Sequence, residues 1–179
     1  MLESAGTLIR EKGIESTSVS QVMDGAGMTV GGFYAHFPSK QSLVTEAVGS
    51  ALKESRGPLT AGLEDALPEA WIEAVVCRYL SRTHRDNPDT GCPLPAIVAE
   101  VAKSETSVRE AFAEGIEMLA EGLTSKYSDF GAHQPGEEAL ATISLMVGGL
   151  ALSRALSGTP QSDEVLKSCR DHLRRCLEA

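Results

Sequence analysis

Apolar residues recur every three or four positions along most of the chain, which is the spacing of one face of an α-helix. The first such segment covers residues 1–12, and Gly13 follows it as a C-cap residue. Gly57-Pro58 is expected to break the chain after the helix predicted over residues 39–54. The pattern predicts an all-α protein, with later helices over residues 39–54, 60–66, 68–85, 94–103, 107–127, 137–157 and 162–177.

The stretch 18–40 contains two short helices with a tight turn between them. Ser18 and Gln21 form a capping box, so one helix begins there, and Gly27 is expected to end it. Thr29 is placed to cap a second helix, expected to extend to about Phe37 before the following proline stops it. Helix, glycine-containing turn and short helix is the pattern of a helix-turn-helix, whose second helix enters the DNA major groove.

The second short helix carries two adjacent glycines, each of which costs a helix about 1 kcal/mol relative to alanine. Close approach of a DNA backbone would explain them, whereas tight packing inside the protein is the alternative. A phosphate could also bind at the start of the next helix, where N–H groups are unpaired. The residues expected to contact DNA are Ser18, Thr29, Val30, Gly31, Gly32, Tyr34, His36 and Lys40.

The runs GI-x-x-TSV, AGM and GGFYAHFPSK resemble the DNA-binding domain of TetR-family transcriptional regulators. The matching positions are Gly13, Thr17, Ala26, Gly27, Gly31, Phe33, Tyr34, His36, Phe37, Pro38, Ser39 and Lys40. The resemblance implies a homodimer that binds operator DNA and is released by a small-molecule inducer. It also implies a helix-turn-helix domain over residues 1–47 and a helical ligand-binding and dimerisation domain over residues 48–179.

The sequence departs from the family pattern at two positions: Val30 stands where family members often have Lys or Arg, and Ala35 where a polar residue is common. The family usually has a basic lead-in before the first helix, but Met1 already belongs to that helix. A truncated start is therefore one interpretation of this sequence.

Composition favours a protein of the reducing cytoplasm that does not enter the membrane. The chain has 179 residues, of which 42% are hydrophobic and only 4% aromatic, and its four cysteines follow no secreted disulfide spacing. No apolar run is expected to span a bilayer. The net charge of −9 argues against a nucleic-acid partner, and residues 1–47 contain only Arg10, Lys12 and Lys40 as cations. Dimerisation and neutral hydrogen-bond donors offset this objection.

Helices between residues 39 and 127 are expected to enclose an inducer pocket that suits a hydrophobic or aromatic ligand. Its candidate walls are Trp71, Val75, Tyr79, Ile97, Val101, Phe112, Ile116 and Leu119, and an ordinary core is the alternative for each. Cys92 precedes a helix, where the helix dipole would lower the pKa of its thiol, so it is a possible thiol sensor. A small residue filling a helix end is the alternative for Cys92.

The last two helices are the expected dimer interface, because two such helices and their copies would form a four-helix bundle. The named interface residues are Met146, Gly149, Leu150, Leu166, Cys169 and Leu173, with closure of the monomer core as the alternative. Cys169 and Cys176 are too far apart along one helix, about 10.5 Å, to bind one zinc ion.

No catalytic motif, cofactor motif or metal site is found, so the chain is not expected to be an enzyme. The sequence therefore predicts a ligand- or stress-responsive DNA-binding regulator, most simply a repressor. The alternative is a small-molecule-binding or thiol-reactive helical protein without strong DNA binding.

Overall fold

The computed structural model describes residues 1–178, and every regular element in that range is helical, which confirms the all-α class. A single 3-10 turn, Pro88–Thr90, lies between the sixth and seventh helices. The α-helices are α1 (Leu2–Lys12), α2 (Val19–Gly25), α3 (Val30–Phe33), α4 (Lys40–Thr60), α5 (Pro68–Tyr79), α6 (Arg82–Asp86), α7 (Leu94–Val101), α8 (Thr106–Phe130), α9 (Pro135–Ala155) and α10 (Pro160–Glu178).

The chain forms two compact units, each built from two separate stretches of the sequence. The first unit combines Met1–Ser55 with Pro88–Ile116, and the second combines Arg56–Asn87 with the residues from Glu117 onward. The three amino-terminal helices therefore share a unit with most of α4, with α7 and with the first part of α8. Both α4 and α8 continue from one unit into the other as single helices.

The core of the first unit consists of the apolar positions that the helical spacing placed inward. Ile9 of α1 and both Val22 and Met23 of α2 are fully buried. The apolar residues of α4 at helical spacing are buried as well, namely Leu43, Val44, Ala47, Val48, Ala51 and Leu52. The spacing of apolar residues thus predicts which face of these helices is buried, because the burial of apolar surface is the main favourable term in folding.

The fourth helix is longer than predicted, and the expected break at Gly57-Pro58 is wrong. The helix passes through Pro58 and ends at Thr60. A proline removes its own N–H bond and disrupts a helix most in the interior, whereas Pro58 lies in the last turn. The separate helix predicted over residues 60–66 is also wrong, because the chain there forms turns in which Gly62 has a φ of 73°.

The long helix predicted over residues 68–85 is broken into α5 and α6. Ser81 caps α6, where its hydroxyl accepts the N–H of His84 at 3.1 Å. The imidazole Nδ1 of His84 lies 2.8 Å from the carbonyl oxygen of Tyr79, and Arg170 donates to the carbonyl of Leu80. Side chains therefore satisfy the carbonyls at the break, and apolar spacing alone could not reveal this.

The eighth helix begins one residue before the predicted start. Because Thr106 is already helical, Ser107 lies inside the first turn and not at the N-cap position. The Ser107 hydroxyl instead lies 3.3 Å from the hydroxyl of Thr45 on α4. The serine thus contributes to packing in the first unit.

The last two helices begin two residues earlier than predicted, at Pro135 and Pro160, since proline suits the first turn of a helix. By length and composition α9 could cross a bilayer, contrary to the expectation for the sequence. One such helix is weak support for a membrane span, because core helices of soluble proteins meet the same test. Within its unit α9 packs against α10, α5 and α6.

Candidate nucleic-acid interface

The second helix begins at the predicted capping box. The Ser18 hydroxyl accepts the N–H of Gln21 at 3.3 Å, and the Gln21 side chain accepts the N–H of Ser18 at 3.1 Å. After the helix, Gly27 adopts a φ of 67°, which residues with a Cβ rarely adopt. The reversal after α2 therefore depends on Gly27, and it sets the direction in which the chain enters α3.

The third helix is a single turn, shorter than the predicted 30–37. It ends at Phe33, and turns follow as far as His36. Thr29 is its N-cap residue, but the Thr29 side chain makes no capping hydrogen bond. Two buried rings hold this short segment in place, since Phe33 and Phe37 stack with centroids 5.9 Å apart.

The outer side of α3 is open to solvent. Tyr34 is 71% exposed, and its ring stands edge-on against Phe33 at a centroid distance of 5.1 Å. Val30 is 44% exposed, and both Thr29 and His36 are exposed. The exposed set therefore combines a hydroxyl, a phenol and an imidazole with one branched apolar side chain, which suits hydrogen bonds to phosphates and contacts to base edges.

The two glycines of α3 do not result from tight packing within the protein. A Cβ built on Gly31 would meet no atom within 4 Å. On Gly32 the nearest atom would be the Thr29 hydroxyl, at 3.9 Å. Neither glycine has a positive φ, so no backbone requirement explains them either. They leave a smooth surface that a DNA backbone can approach closely.

The start of α4 offers a position for a phosphate. Ser39 caps this helix, and its hydroxyl accepts the N–H of Ser42 at 3.1 Å. Lys40 lies in the first turn and is exposed, next to backbone N–H groups that no helical carbonyl can satisfy. A phosphate there would receive hydrogen bonds from those amides together with the charge of Lys40.

One of the three cations in the amino-terminal domain is committed to internal contacts. Arg10 is 7% exposed, and it donates to the carbonyl of Ala51 at 3.2 Å and to the carboxylate of Glu54 at 2.9 Å. The hydrogen bond from Arg10 lowers the pKa of Glu54. Only Lys12 and Lys40 remain as Lys or Arg side chains of residues 1–47 that can face DNA.

Glu100 of α7 is a structural residue that the sequence did not single out. Its carboxylate accepts the backbone N–H of Ile14 and, at 3.3 Å, that of Glu15. Gly13, at a φ of 83°, lies directly against this carboxylate, and a Cβ there would collide with it. Because 86 positions separate Glu100 from Ile14, no local pattern could have indicated the contact.

The predicted inducer-pocket residues belong to both units. In the first unit Ile97 and Val101 are buried, and Phe112 and Ile116 are half-buried. In the second unit Trp71, Val75 and Tyr79 are buried and Leu119 is half-buried. Trp71 also lines an open cleft of the second unit.

Cys92 is only 2% exposed and precedes α7 as the sequence predicted. Reactive thiols are generally accessible as well as ionised, so burial disfavours reaction at this position. Cys176 is the exposed cysteine among residues 1–178, and its sulfur lies 3.7 Å from the imidazole Nε2 of His172. Within the part of the chain that the structure describes, no group of three metal-binding side chains is found.

The residues named for the dimer interface mostly lie in the core of the protomer. Gly149 packs against Cys169 and Leu80, so closely that a Cβ on Gly149 would come within 2.8 Å of the Cys169 sulfur. The named residues that are buried are Met146, Gly149, Leu150, Leu166 and Leu173, while Cys169 is half-buried. Helix packing within one chain thus already occupies this face, which is the alternative that the sequence left open.

The opposite face of α9 carries a different set of exposed residues. Leu140 and Leu152 are 50% and 58% exposed, and Ser144 and Gly148 lie between them at four-residue spacing. A ridge of residues four apart is a common packing surface between helices. We call these four residues the α9 ridge.

Comparison with known proteins agrees with the fold and with the helix-turn-helix. Residues 1–47 match the family model described as bacterial regulatory proteins, tetR family. The transcriptional repressor KstR2 of Rhodococcus jostii is 35% identical over 80 residues, which are 42% of this chain and 38% of that protein. An uncharacterized HTH-type transcriptional regulator of Mycobacterium tuberculosis is 27% identical over 191 residues, covering 97% of this chain and 92% of the relative.

Solved structures with the same fold extend over nearly the whole chain. The reduced form of E. coli NemR superimposes with a TM-score of 0.80 at 18% identity, covering 97% of this chain and 93% of NemR. A TetR transcriptional regulator from Legionella pneumophila gives 0.80 at 18% identity, covering 98% and 94%. Residues 1–47 thus match the tetR family of bacterial regulatory proteins, and the chain as a whole has the fold of these solved structures.

Proposed function

We propose that the protein is a homodimeric repressor of the cytoplasm that a small molecule releases from its operator. The observation that carries the proposal is the outer side of α3, where Gly31 faces open space between exposed polar side chains. Relatives named as transcriptional repressors support the direction of regulation. Helix α3 would enter the major groove and the start of α4 would bind a phosphate.

The α9 ridge is the surface that we assign to the dimer. Its exposed leucines would be buried against a second copy, and Gly148, with no atom within 4 Å of a built Cβ, would let the partner helix approach closely. The two-fold symmetry of such a dimer would present two copies of α3 to a near-palindromic operator with half-sites about 34 Å apart.

Release would follow from a shift between two states of the dimer, only one of which matches the operator spacing. Glu100 is suited to transmit such a shift, because α7 holds the junction between α1 and α2 through backbone N–H groups. Ligand binding is the favoured trigger. Modification of Cys92 would first require its thiol to become exposed, since only 2% of the residue is accessible.

Fluorescence polarisation with duplex DNA from upstream of the protein's own gene tests the proposal, with random duplex as the reference. Tyr34→Ala and Lys40→Ala should each weaken specific binding by about tenfold, since each removes a contact worth about 1–2 kcal/mol. Lys53→Ala is the matched control, because Lys53 is exposed on the same helix as Lys40 but farther from α3. Equal binding of specific and random duplex would contradict the proposal.

A helical ligand-binding protein without strong DNA binding is the second candidate, and the scarcity of cations favours it. If Lys12 and Lys40 of both protomers contact phosphates, four contacts give a slope of about −3.6 for the logarithm of affinity against the logarithm of salt concentration. A slope near this value supports the repressor. Absence of binding to any duplex at low salt supports the second candidate.

A further inference from the structure

The second unit contains an open cleft of about 310 Å³ between the end of α4, the turns that follow it, α5 and α8. The residues that line it include Arg56 of α4, Glu64 of the turns, Trp71 of α5, and Gly122 and Lys126 of α8. This volume suits a small ligand of about ten to fifteen non-hydrogen atoms, near the lower end of the usual range for ligand pockets.

Two cationic side chains converge on this cleft without a carboxylate partner. The Lys126 ammonium lies 5.8 Å from the centroid of the Trp71 ring. The Arg56 guanidinium lies over Gly122, where a Cβ would come within 3.1 Å of it, so the glycine makes room for the arginine. Among residues 1–178, neither cation forms an ion pair or a side-chain hydrogen bond.

Other arginines of the second unit have hydrogen-bond or ion-pair partners within the protein. Arg78 donates to two carbonyls, at 2.9 and 2.8 Å, and Arg82 donates to both carboxylate oxygens of Asp163. Arg174 pairs with Glu73 at 2.7 Å. Since these arginines have partners within the protein, the unpaired Arg56 beside a second unpaired cation marks the cleft as a place for an external anion.

The charge balance of the cleft favours a monoanion. Glu64 is the acidic residue of the lining, and its carboxylate accepts the backbone N–H of Gly62 at 3.2 Å. With Arg56 and Lys126 positive and Glu64 negative, the lining has one excess positive charge. A carboxylate balances that charge, and the guanidinium can bind it through two parallel hydrogen bonds.

We propose that this cleft binds an amphipathic monocarboxylate, with the acid group between Arg56 and Lys126 and a flat apolar body against Trp71. This inference rests on the proposed function, since it names the chemical class of the releasing ligand. Arg56 belongs to α4, whose earlier turns lie in the unit of the DNA-binding helices. A ligand that holds Arg56 thus acts on a helix that reaches that unit.

Fluorescence of Trp71, the single tryptophan of the chain, reports directly on the cleft in the full-length protein. The probe is 4-phenylbutyrate, and its neutral counterpart is 4-phenyl-1-butanol. The acid should change Trp71 emission with saturation at millimolar concentration or below, and the alcohol should bind at least about tenfold more weakly, as expected when a charge-assisted hydrogen bond is lost. Equal affinities for acid and alcohol, or no saturable change with the acid, would overturn the proposal.

Substitutions in the cleft test whether the acid binds there or at another surface of the protein. Arg56→Gln and Lys126→Gln should each weaken the acid by about tenfold, Arg56→Lys should retain part of the affinity, and Lys53→Gln should leave it unchanged. Unchanged affinity in both cleft variants, with thermal unfolding like the wild type, refutes the site. Duplex binding measured on the same samples is a separate readout: wild-type DNA binding without acid binding rejects the ligand class alone, whereas acid binding without DNA binding rejects the repressor.

Discussion

Replacing Gly31 with alanine should make the protein more stable and yet weaken its binding to DNA. The methyl group would point into open space, because no atom lies within 4 Å of a built Cβ, and the backbone has no positive φ that alanine would resist. In the free protein the substitution therefore removes a glycine from a helix without creating a clash. In the complex the same methyl group would occupy the surface that the DNA approaches.

The effects of the substitution on stability and on DNA affinity are opposite, and the magnitude of each can be estimated. Glycine costs a helix up to about 1 kcal/mol relative to alanine, and less in a helix as short as α3. For a chain of this length a gain of that size raises Tm by about 2–4 °C. If the added methyl group displaces one or two charge-assisted hydrogen bonds to phosphate, affinity falls by about tenfold to a hundredfold.

Thermal unfolding and fluorescence polarisation on the same preparation measure both effects. Gly49→Ala is the matched control, since Gly49 lies inside α4, also has no atom within 4 Å of a built Cβ, and is remote in sequence from α3. The control should gain stability and keep its DNA affinity. If Gly31→Ala binds operator as tightly as the wild type, close approach of DNA to α3 is refuted.

Three other predictions concern the support of the interface and the assembly. Glu100→Ala should lower the free energy of unfolding by about 1–3 kcal/mol in denaturant titrations, because the Ile14 N–H loses its acceptor, while Glu100→Gln should lose less. The hydrogen bond from Arg10 lowers the pKa of Glu54, so the pair stabilises the fold above the ordinary pKa of a glutamate, and the contribution is lost as pH falls through the lowered pKa. Glu54→Gln should therefore show a shallower loss of stability on acidification, and a slope like that of the wild type would contradict the assignment. Leu152→Glu should yield monomers in analytical ultracentrifugation, whereas a persistent dimer would place the interface elsewhere.

The sequence predicted helix positions well where a local chemical signal marks an end. The capping box at Ser18 and the glycine reversals at Gly13 and Gly27 are in the structure as predicted. The capping box and the positive φ of Gly27 involve residues close together in the chain, so a local pattern is enough to predict them. The inner stripes of α1, α2 and α4 were predictable for the same reason, because one helix repeats its own spacing.

Predictions failed where distant side chains decide a local conformation. Pro58 predicts a helix end because a proline without context breaks a helix, but the last turn of α4 accommodates it. The break after Tyr79 depends on the side chains of His84 and Arg170, one of them 90 positions from its partner. The same limit explains why Glu100 was missed, since its partners in the α1–α2 junction become neighbours only in the folded first unit.

The low positive charge of the amino-terminal domain and the glycines of α3 support one mode of DNA binding. With Arg10 committed to Glu54, long-range attraction to phosphates is weak, so affinity has to come from short contacts at the surface itself. Short contacts need close approach, and Gly31 provides the surface for it. Hydroxyl and backbone N–H groups then form hydrogen bonds with the DNA, and the strength of a hydrogen bond depends steeply on its distance and angle. Binding therefore depends more on how well the shape of a particular duplex fits the protein than on electrostatic attraction to any duplex. A domain with few cations and an open glycine surface is therefore expected to discriminate among duplexes more strongly than its charge alone would suggest.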